Sequence, residues 1–197
     1  SQTMDTIEIR VDARGKGEAE IFHLLKTMDA TCTVTMTTLD VGDYQILRDG
    51  KPVVLVERKS HADMAGSLKV NNHVKEQVVR LRAFASQTPE CSVFIVYEGT
   101  MGKTWYDAKI GGLPNRNVDM FLTCLAARER LLLHHTTSKE HTAAWLLAMC
   151  KKEIKGELRA SEATQVSASS YLATLKMSKT ANTRTMRPWE RVLMAVD

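Results

Sequence analysis

Strand-like and helix-like patterns of apolar residues follow one another along the first 155 residues of the chain. Residues 6–12 and 32–36 alternate between apolar and polar side chains, which is typical of strands. Residues 53–56 form an apolar, largely β-branched run, which predicts a buried strand. Further strands are predicted at 44–47, 92–99 and 131–134, and apolar positions at helical spacing predict helices over 18–28, 61–68, 74–85, 114–126 and 138–154.

The periodic pattern weakens after Gly156. Residues 161–170 are rich in Ser, Thr and Ala, which is typical of a linker, and an amphipathic helix is predicted to begin at Pro188. We therefore predict a folded domain over residues 5–156, a linker over 157–187 and the start of a second domain over 188–197.

Composition narrows the classes of protein to which the chain can belong. Its 197 residues are 44% hydrophobic and 25% charged, which fits one globular domain with an appendage. The four cysteines have no CxxC spacing, which favours reduced thiols in an intracellular protein, and no apolar run approaches the ~18 residues of a membrane span. The net charge of +4 resides in the C-terminal quarter, a distribution that fits either a polyanionic partner or a solvated tail.

One stretch carries acidic and basic groups in an order that predicts chemistry. Asp49-Gly50 is a hairpin-turn pair, so residues 44–47 and 53–56 are expected to pair as a hairpin. Glu57 and Lys59 stand two residues apart at the end of the second strand and should share one face, with Asp43 opposite them. Two carboxylates suit Mg²⁺ or Mn²⁺, and a lysine can orient or help deprotonate a water and neutralise developing charge.

The same stretch resembles the signature of the XPF family of structure-selective DNA endonucleases, GDx…ERKxxxD. The residues that match this signature are Gly42, Asp43, Glu57, Arg58, Lys59 and Asp63. The resemblance implies that Asp43, Glu57, Arg58, Lys59 and Asp63 form the catalytic site. The alternative interpretation is an ordinary hairpin end with a cluster of surface ion pairs.

A second resemblance concerns the metal site. The family opens its nuclease domain with VDxRE, which Val11-Asp12-Ala13-Arg14 matches, and this implies a site for Mg²⁺ or Mn²⁺ at Asp12, Asp43 and Glu57. Gly15 stands where the family has a glutamate. Glu18 and Glu20, at the start of the next helix, are the two candidates to supply a carboxylate instead.

Further basic residues are predicted to contact DNA. His73 occupies the place of an arginine in a stretch that resembles the family's SL…NGRxxxQ, and Lys75 follows it. The loop from Gly99 to Gly112 interleaves basic and aromatic residues, which suits unstacked DNA, although a surface loop without a ligand explains the pattern equally well. The predicted DNA-binding residues are Arg14, His73, Lys75, Lys103 and Lys109.

The resemblance implies an α/β fold of the restriction-endonuclease-like, PD-(D/E)xK type, with a central mixed sheet flanked by helices. It implies metal-dependent hydrolysis of branched DNA (3′ flaps, forks and nicked junctions) in repair or recombination. The segment Glu76-Gln77 to Arg80-Leu81 favours the Mus-type crossover-junction branch. The ending ERVLMAVD resembles the first helix of a helix-hairpin-helix domain, cut before its glycine.

The expected partners are branched DNA and a second subunit, in a homodimer or in a heterodimer with a related chain. The last helix is predicted to carry one apolar side, which is widened by Trp145, Leu146 and Met149; its other members are Ala144, Leu147, Ala148 and Ile154. This side and the preceding strand are expected to form the dimer interface or part of the core. The expected compartment is the nucleus, or the infected-cell nucleus or cytoplasm for a virus-encoded protein. Two other functions stay open, namely an inactive DNA-binding and dimerisation subunit and a different PD-(D/E)xK nuclease.

Overall fold

A six-stranded mixed sheet forms the centre of the fold in a computed structural model, which describes residues 6–28, 32–69, 73–100, 104–110 and 112–159. Its strands are arranged in the order β2-β1-β3-β4-β5-β8, and β6 and β7 form a separate two-stranded ribbon. The strands are β1 Ile7–Asp12, β2 Thr33–Thr37, β3 Tyr44–Arg48, β4 Lys51–Ser60, β5 Ser92–Glu98, β6 Lys109–Ile110, β7 Leu113–Pro114 and β8 Leu132–Thr136.

Five helices lie between these strands in the chain. They are α1 Glu18–Thr27, α2 His61–Lys69, α3 His73–Gln87, α4 Asn115–Glu129 and α5 Lys139–Ile154. The predicted strands and helices are all present. Several boundaries differ from the predicted ones by a few residues. In particular, β4 continues to Ser60 beside β5, and Pro114 precedes α4 as its N-cap residue rather than lying in its first turn.

The sheet combines antiparallel and parallel pairing. β3 pairs antiparallel with β1 and with β4, whereas β1–β2, β4–β5 and β5–β8 are parallel pairs. The predicted hairpin turn at Asp49-Gly50 is confirmed, since both residues have positive φ angles of 50° and 78°. This arrangement confirms the predicted α/β fold with a central mixed sheet, and β8 is an edge strand as expected.

The helices cover the two faces of β4 with different partners. Leu55 on one face belongs to a buried cluster with Met64 of α2, Val78 of α3 and Leu122 of α4. The opposite face of the sheet is covered by α1 and α5. These two helices pack together, and α5 contacts β1, β5 and β8. Because side chains alternate along a strand, Glu57 and Lys59 point with Leu55, and Arg58 points toward α1 and α5.

The apolar face predicted for α5 requires a correction. Ala144, Ala148 and Ile154 are exposed, whereas Leu147 and Met149 are buried by the chain's own sheet and helices. The predicted stripe was therefore rotated from the true inward face, and Leu147 and Met149 serve the core rather than a surface for a second subunit. Over the described ranges, none of the helices has the length and apolar character needed to cross a membrane.

The chain divides into two units, residues 1–155 and 156–197. In the second unit the described residues 156–159 form a turn and a bend, and Gly156 has a φ of 71°. Almost all of the predicted linker, 157–187, and the whole predicted helix, 188–197, lie outside the described residues.

Candidate active site

Gly42 sets the position of Asp43 against β4. Its φ is 77°, and a Cβ atom there would come within 2.6 Å of Leu55 Cδ1 and 3.1 Å of the Val56 carbonyl oxygen. This close approach lets the Asp43 N–H donate to the Val56 carbonyl at 2.8 Å. The Asp43 carboxylate accepts from the Arg58 backbone N–H at 2.7 Å. The backbone of β4 therefore holds Asp43 beside Glu57 and Lys59.

Glu57 and Lys59 lie side by side on one face of β4, as their spacing predicts. Lys59 Nζ is 3.6 Å from Glu57 Oε1, and their side chains are only 13% and 10% exposed. Asp43 is close enough for its charge to interact with both of them. The structure thus brings together the aspartate, glutamate and lysine that the sequence placed in one site.

The two carboxylates of this group are crowded. Burial and the neighbouring Glu57 raise the pKa of Asp43 to about 8, although Arg58 N–H and Lys59 act in the opposite direction. Burial also raises the pKa of Glu57, against the effect of Lys59. The pair therefore carries less than its full negative charge at neutral pH unless a cation joins it.

Arg58 points away from this pair and is held by carboxylates. Its Nε and Nη2 lie 2.8 and 2.7 Å from the two oxygens of Glu98, and its Nη1 is 3.5 Å from Glu18. Burial opposes its charge, but Glu98 raises the pKa of Arg58. The resemblance implies either that Arg58 orients the site or that it touches phosphate. Because the side chain is 6% exposed, its geometry fits orientation of the site better than direct contact with phosphate.

The first turn of α2 positions Asp63. Ser60 Oγ accepts from the Asp63 N–H at 3.2 Å, so Ser60 caps the N-terminus of this helix. The same hydroxyl donates to Asp63 Oδ2 at 2.7 Å. Asp63 is exposed and lies at the wall of the cavity described next, a position that suits orientation of the site.

A polar, open cavity of about 940 Å³ unites these side chains. The predicted catalytic residues that line it are Asp43, Glu57, Arg58, Lys59 and Asp63. His73 of the predicted DNA-binding set reaches it as well. Glu18 and the exposed Lys16 also line it; the sequence offered Glu18 as one of two candidates, whereas Lys16, between Gly15 and Gly17, went unnoticed.

Asp12 lies on another side of Asp43 and Glu57. It lines a smaller cavity of about 120 Å³ with them, and its Oδ1 accepts from Leu39 N–H at 2.9 Å and from Arg14 Nε at 3.3 Å. In the part of the chain that the structure describes, no three His, Cys, Asp or Glu side chains form a group that could hold a metal ion. The metal site at Asp12, Asp43 and Glu57 stays a prediction.

Glu18, rather than Glu20, is the carboxylate that α1 brings to the cavity. Glu18 is 5% exposed and approaches Arg58, whereas Glu20 is exposed and pairs with Lys139. Glu98 is the residue that the sequence missed as a partner of Arg58. Its one signal was the Tyr97-Glu98-Gly99 segment, which resembles the family's VEG.

The residues predicted to contact DNA lie in several places. The Arg14 and His73 side chains are each 60% exposed, and each approaches an acidic neighbour, Asp12 and Glu76 respectively. Lys75 and Lys109 are exposed on α3 and β6, and Lys103 lies outside the described residues.

Of the two interpretations of the Gly99 to Gly112 loop, contact with unstacked DNA does not hold for Trp105. Trp105 is 8% exposed, and its indole N–H points at His61 Nδ1 at 3.5 Å. The ring is therefore enclosed by the fold and is not available to stack on a base. Tyr106, at 48% exposure, is the aromatic side chain of the described loop that is open to solvent.

Comparison with known proteins places this site in context. The family model for the ERCC4 domain matches residues 5–149. Two solved structures of XPF from Aeropyrum pernix, one of them in complex with DNA, are each 22% identical to this chain with a TM-score of 0.53. The match to the structure without DNA covers 74% of this chain and 61% of the XPF chain. The match to the complex with DNA covers 79% of this chain and 68% of the XPF chain. A search of curated proteins gives no match. At this identity the likeness shows the fold, which is the restriction-endonuclease-like α/β fold of the XPF nuclease domain.

Proposed function

The chain belongs to the ERCC4 domain family, the XPF nuclease family, which includes structure-specific DNA endonucleases, and on this premise we propose that it is a metal-dependent endonuclease of branched DNA. Its substrates would be 3′ flaps, forks and nicked junctions. The observation that carries the proposal is the crowding of Asp43 and Glu57 beside Lys59 in an open, polar cavity. Assignment to the Mus-type branch is part of the proposal.

The donor set of the cavity fits Mg²⁺ or Mn²⁺. These ions prefer carboxylate oxygens, and Mg²⁺ commonly keeps several waters while binding one or two carboxylates. Asp43 and Glu57 would hold the ion, with Asp12 on the far side of the pair. Burial and, after it, neighbouring carboxylates raise the pKa values of Asp43 and Glu57, and a bound cation would offset both effects. When bound, the ion would polarise the phosphodiester and make a water more acidic.

The chain's own residues supply the remaining chemistry. Lys59, held 3.6 Å from Glu57, is placed to orient a water or neutralise charge that develops on the phosphate. Arg58 fixes β4 through Glu98 while its backbone N–H presents Asp43. Asp63, hydrogen-bonded to Ser60, orients the cavity wall.

We carry DNA binding to this chain from the related XPF structure that contains DNA. Arg14, His73, Lys75, Lys103 and Lys109 are the proposed contacts. A positively charged side chain that neutralises a phosphate adds affinity without reading a base, so such contacts suit selection of DNA by shape.

A second subunit is also part of the proposal. Leu132 and Leu133 on the edge strand β8 are 47% and 38% exposed, and they add apolar surface to an edge of the sheet where a strand of another chain could pair. Leu147 and Met149, which the sequence offered for either the interface or the core, are buried in the core. The partner would be a second copy or a related, non-catalytic chain.

An inactive DNA-binding and dimerisation subunit is the second candidate function. The observation in its favour is that no three metal-binding side chains, counted over the described ranges, form a ready metal group. The preserved arrangement of Asp43, Glu57 and Lys59 favours the enzyme.

The test is cleavage of a labelled 3′ flap with Mg²⁺ or Mn²⁺, beside a linear duplex of the same sequence. We expect the parent protein to cut the flap near its branch and to leave the linear duplex largely intact. Asp43→Asn and Lys59→Ala should both abolish cutting. A parent that binds the flap but is inert with both metals would favour the inactive subunit, and activity that survives Lys59→Ala would mean that the catalytic site lies elsewhere.

A further inference from the structure

The side chain of Glu18 folds back into a space that exists because residue 15 is glycine. A Cβ atom on Gly15 would lie 1.9 Å from Glu18 Oε2 and 2.5 Å from its carboxyl carbon. Glu18 Oε2 also accepts from the Gly17 backbone N–H at 3.1 Å. Any side chain at position 15 would therefore displace the carboxylate of Glu18 from its place.

The position of Glu18 is enclosed, yet it is part of the cavity wall. Glu18 is 5% exposed, and it lines the same cavity as Asp43, Glu57 and Lys59. A carboxylate seldom lies this deep in a protein without a partner that balances its charge.

Arg58 supplies only part of that balance. Arg58 Nη1 is 3.5 Å from Glu18 Oε1, a long contact, whereas Glu98 takes the two short contacts of the guanidinium at 2.7 and 2.8 Å. Gly17 packs directly against this arginine, since a Cβ there would lie 2.4 Å from Nη1. The two glycines thus hold a carboxylate at the cavity whose strongest cationic neighbour is already paired.

We propose that Glu18 is a further carboxylate of the divalent-metal site, held in the cradle left by Gly15; this assignment rests on the proposed function. Glu18 need not touch the ion. A hydrated Mg²⁺ or Mn²⁺ offers water molecules to carboxylates around it, and such outer partners contribute to metal affinity.

The measurement is the dissociation constant for Mn²⁺, obtained from the electron paramagnetic resonance signal of free Mn²⁺, which needs no turnover. Glu18→Gln keeps the size of the side chain and removes its charge. We expect it to weaken Mn²⁺ binding by roughly 10- to 100-fold, the effect typical of losing an outer-shell partner. Glu20→Gln, on the same helix but paired with Lys139 at the surface, is the matched control and should bind like the parent.

A second pair of variants tests the cradle itself. Gly15→Ala adds one methyl group that meets the flexible end of Glu18 rather than backbone, so the fold should persist while Mn²⁺ binding weakens. Gly15→Glu combined with Glu18→Ala moves the carboxylate to position 15 and should restore much of the affinity. Circular dichroism of each variant checks the fold.

The outcomes separate this inference from the proposed function. A parent that binds Mn²⁺ and cuts a flap, with Glu18→Gln of equal Mn²⁺ affinity, would overturn the inference alone, even if cleavage by the variant fell through a shift of Arg58. Mn²⁺ binding that is insensitive to Gly15→Ala would overturn the cradle. A parent that neither binds Mn²⁺ nor cuts DNA would overturn the proposed function and this inference together.

Discussion

Two clusters of buried charge lie on opposite faces of β4, and they differ in how well their charges are matched. Toward α1 and α5, Arg58 meets Glu98 through two short contacts, and Thr142 Oγ1 donates to the same carboxylate at 2.6 Å. On the other face, Asp43 and Glu57 crowd together with Lys59 as their cationic neighbour. The two clusters use consecutive residues of β4, since Arg58 stands between Glu57 and Lys59.

The direction of each carboxylate's pKa shift records this difference. Burial disfavours the charge of Glu98, but hydrogen bonds from Arg58 and Thr142 hold the pKa of Glu98 below its ordinary value. Burial raises the pKa of Glu57 and, with Glu57 nearby, that of Asp43. A matched cluster stabilises the fold, whereas a crowded one is stabilised by a ligand of opposite charge, and it is therefore the better candidate for function.

The largest effect on stability is expected from breaking the matched cluster. Arg58→Met leaves Glu98 and Glu18 buried without their partner, and it should lower the free energy of unfolding by about 3–5 kcal/mol. Lys59→Met makes the same change on the opposite face and should be clearly milder, because Glu57 already has a raised pKa and can take up a proton. Urea denaturation of both variants measures this, and equal losses would contradict the contrast.

For catalysis, in contrast to stability, the larger loss is expected from a change in the crowded cluster. Lys59→Met is expected to slow single-turnover cleavage of a 3′ flap by roughly 10²- to 10⁴-fold, the range for loss of a group that handles a proton or charge in the transition state. Lys51→Met, which removes an exposed lysine at the opposite end of β4, is the control and should change cleavage little. If Lys59→Met retained most of the activity, the crowded cluster would have no part in the reaction.

Asp43→Asn should stabilise the metal-free protein while it removes activity. The pKa of Asp43 rises from an ordinary 3.8 to about 8 in the folded state. Between these values the unfolded chain releases a proton that the folded protein retains, so Asp43 increasingly destabilises the fold as the pH rises. Asparagine can still accept from the Arg58 N–H and does not titrate.

The gain in Asp43→Asn should grow as the pH rises from about 5 to about 8, by up to about 1.4 kcal/mol for each pH unit. Urea denaturation of parent and variant across this range, with a metal chelator present, measures it. A difference that is constant with pH would mean that Asp43 is ionised in the folded protein like an ordinary aspartate.

The smallest effect is expected where the matched cluster reaches α5. Thr142→Val keeps the shape but removes the hydroxyl that links Thr136 and Glu98, and it should lower stability by about 1 kcal/mol. Thr123→Val, whose hydroxyl donates to the Asp119 carbonyl at an exposed position of α4, should change stability by less than about 0.5 kcal/mol. Thermal unfolding of the two variants separates them, and equal shifts would contradict the proposed link.

The parts of this site that the sequence predicted are the local ones. Glu57 and Lys59 share a face because side chains alternate along any strand, and Asp43 follows from the hairpin that Asp49-Gly50 closes. The strands and helices were predicted for the same reason, since their periodicity is a property of a short segment.

The parts that the sequence could not provide depend on contacts between distant segments. Arg58 meets Glu98 forty residues away, and the side chain of Glu18 follows from the space beside Gly15. Trp105 lies in the predicted loop from Gly99 to Gly112, where the sequence gives no sign of burial, but its side chain is buried against His61. The inward face of α5 was set by its packing against α1 and the sheet rather than by the helix's own weak apolar pattern.

The most direct test of the central claim is calorimetric titration of the protein with Mn²⁺ in buffers of different ionisation enthalpy. If the crowded pair of Asp43 and Glu57 is a cation site, binding should release protons, and the affinity should rise from about pH 6 to about pH 8 and then level off. Glu57→Gln should lose most of this binding. Absence of binding in the parent, or binding that is independent of pH and unchanged in Glu57→Gln, would contradict the claim.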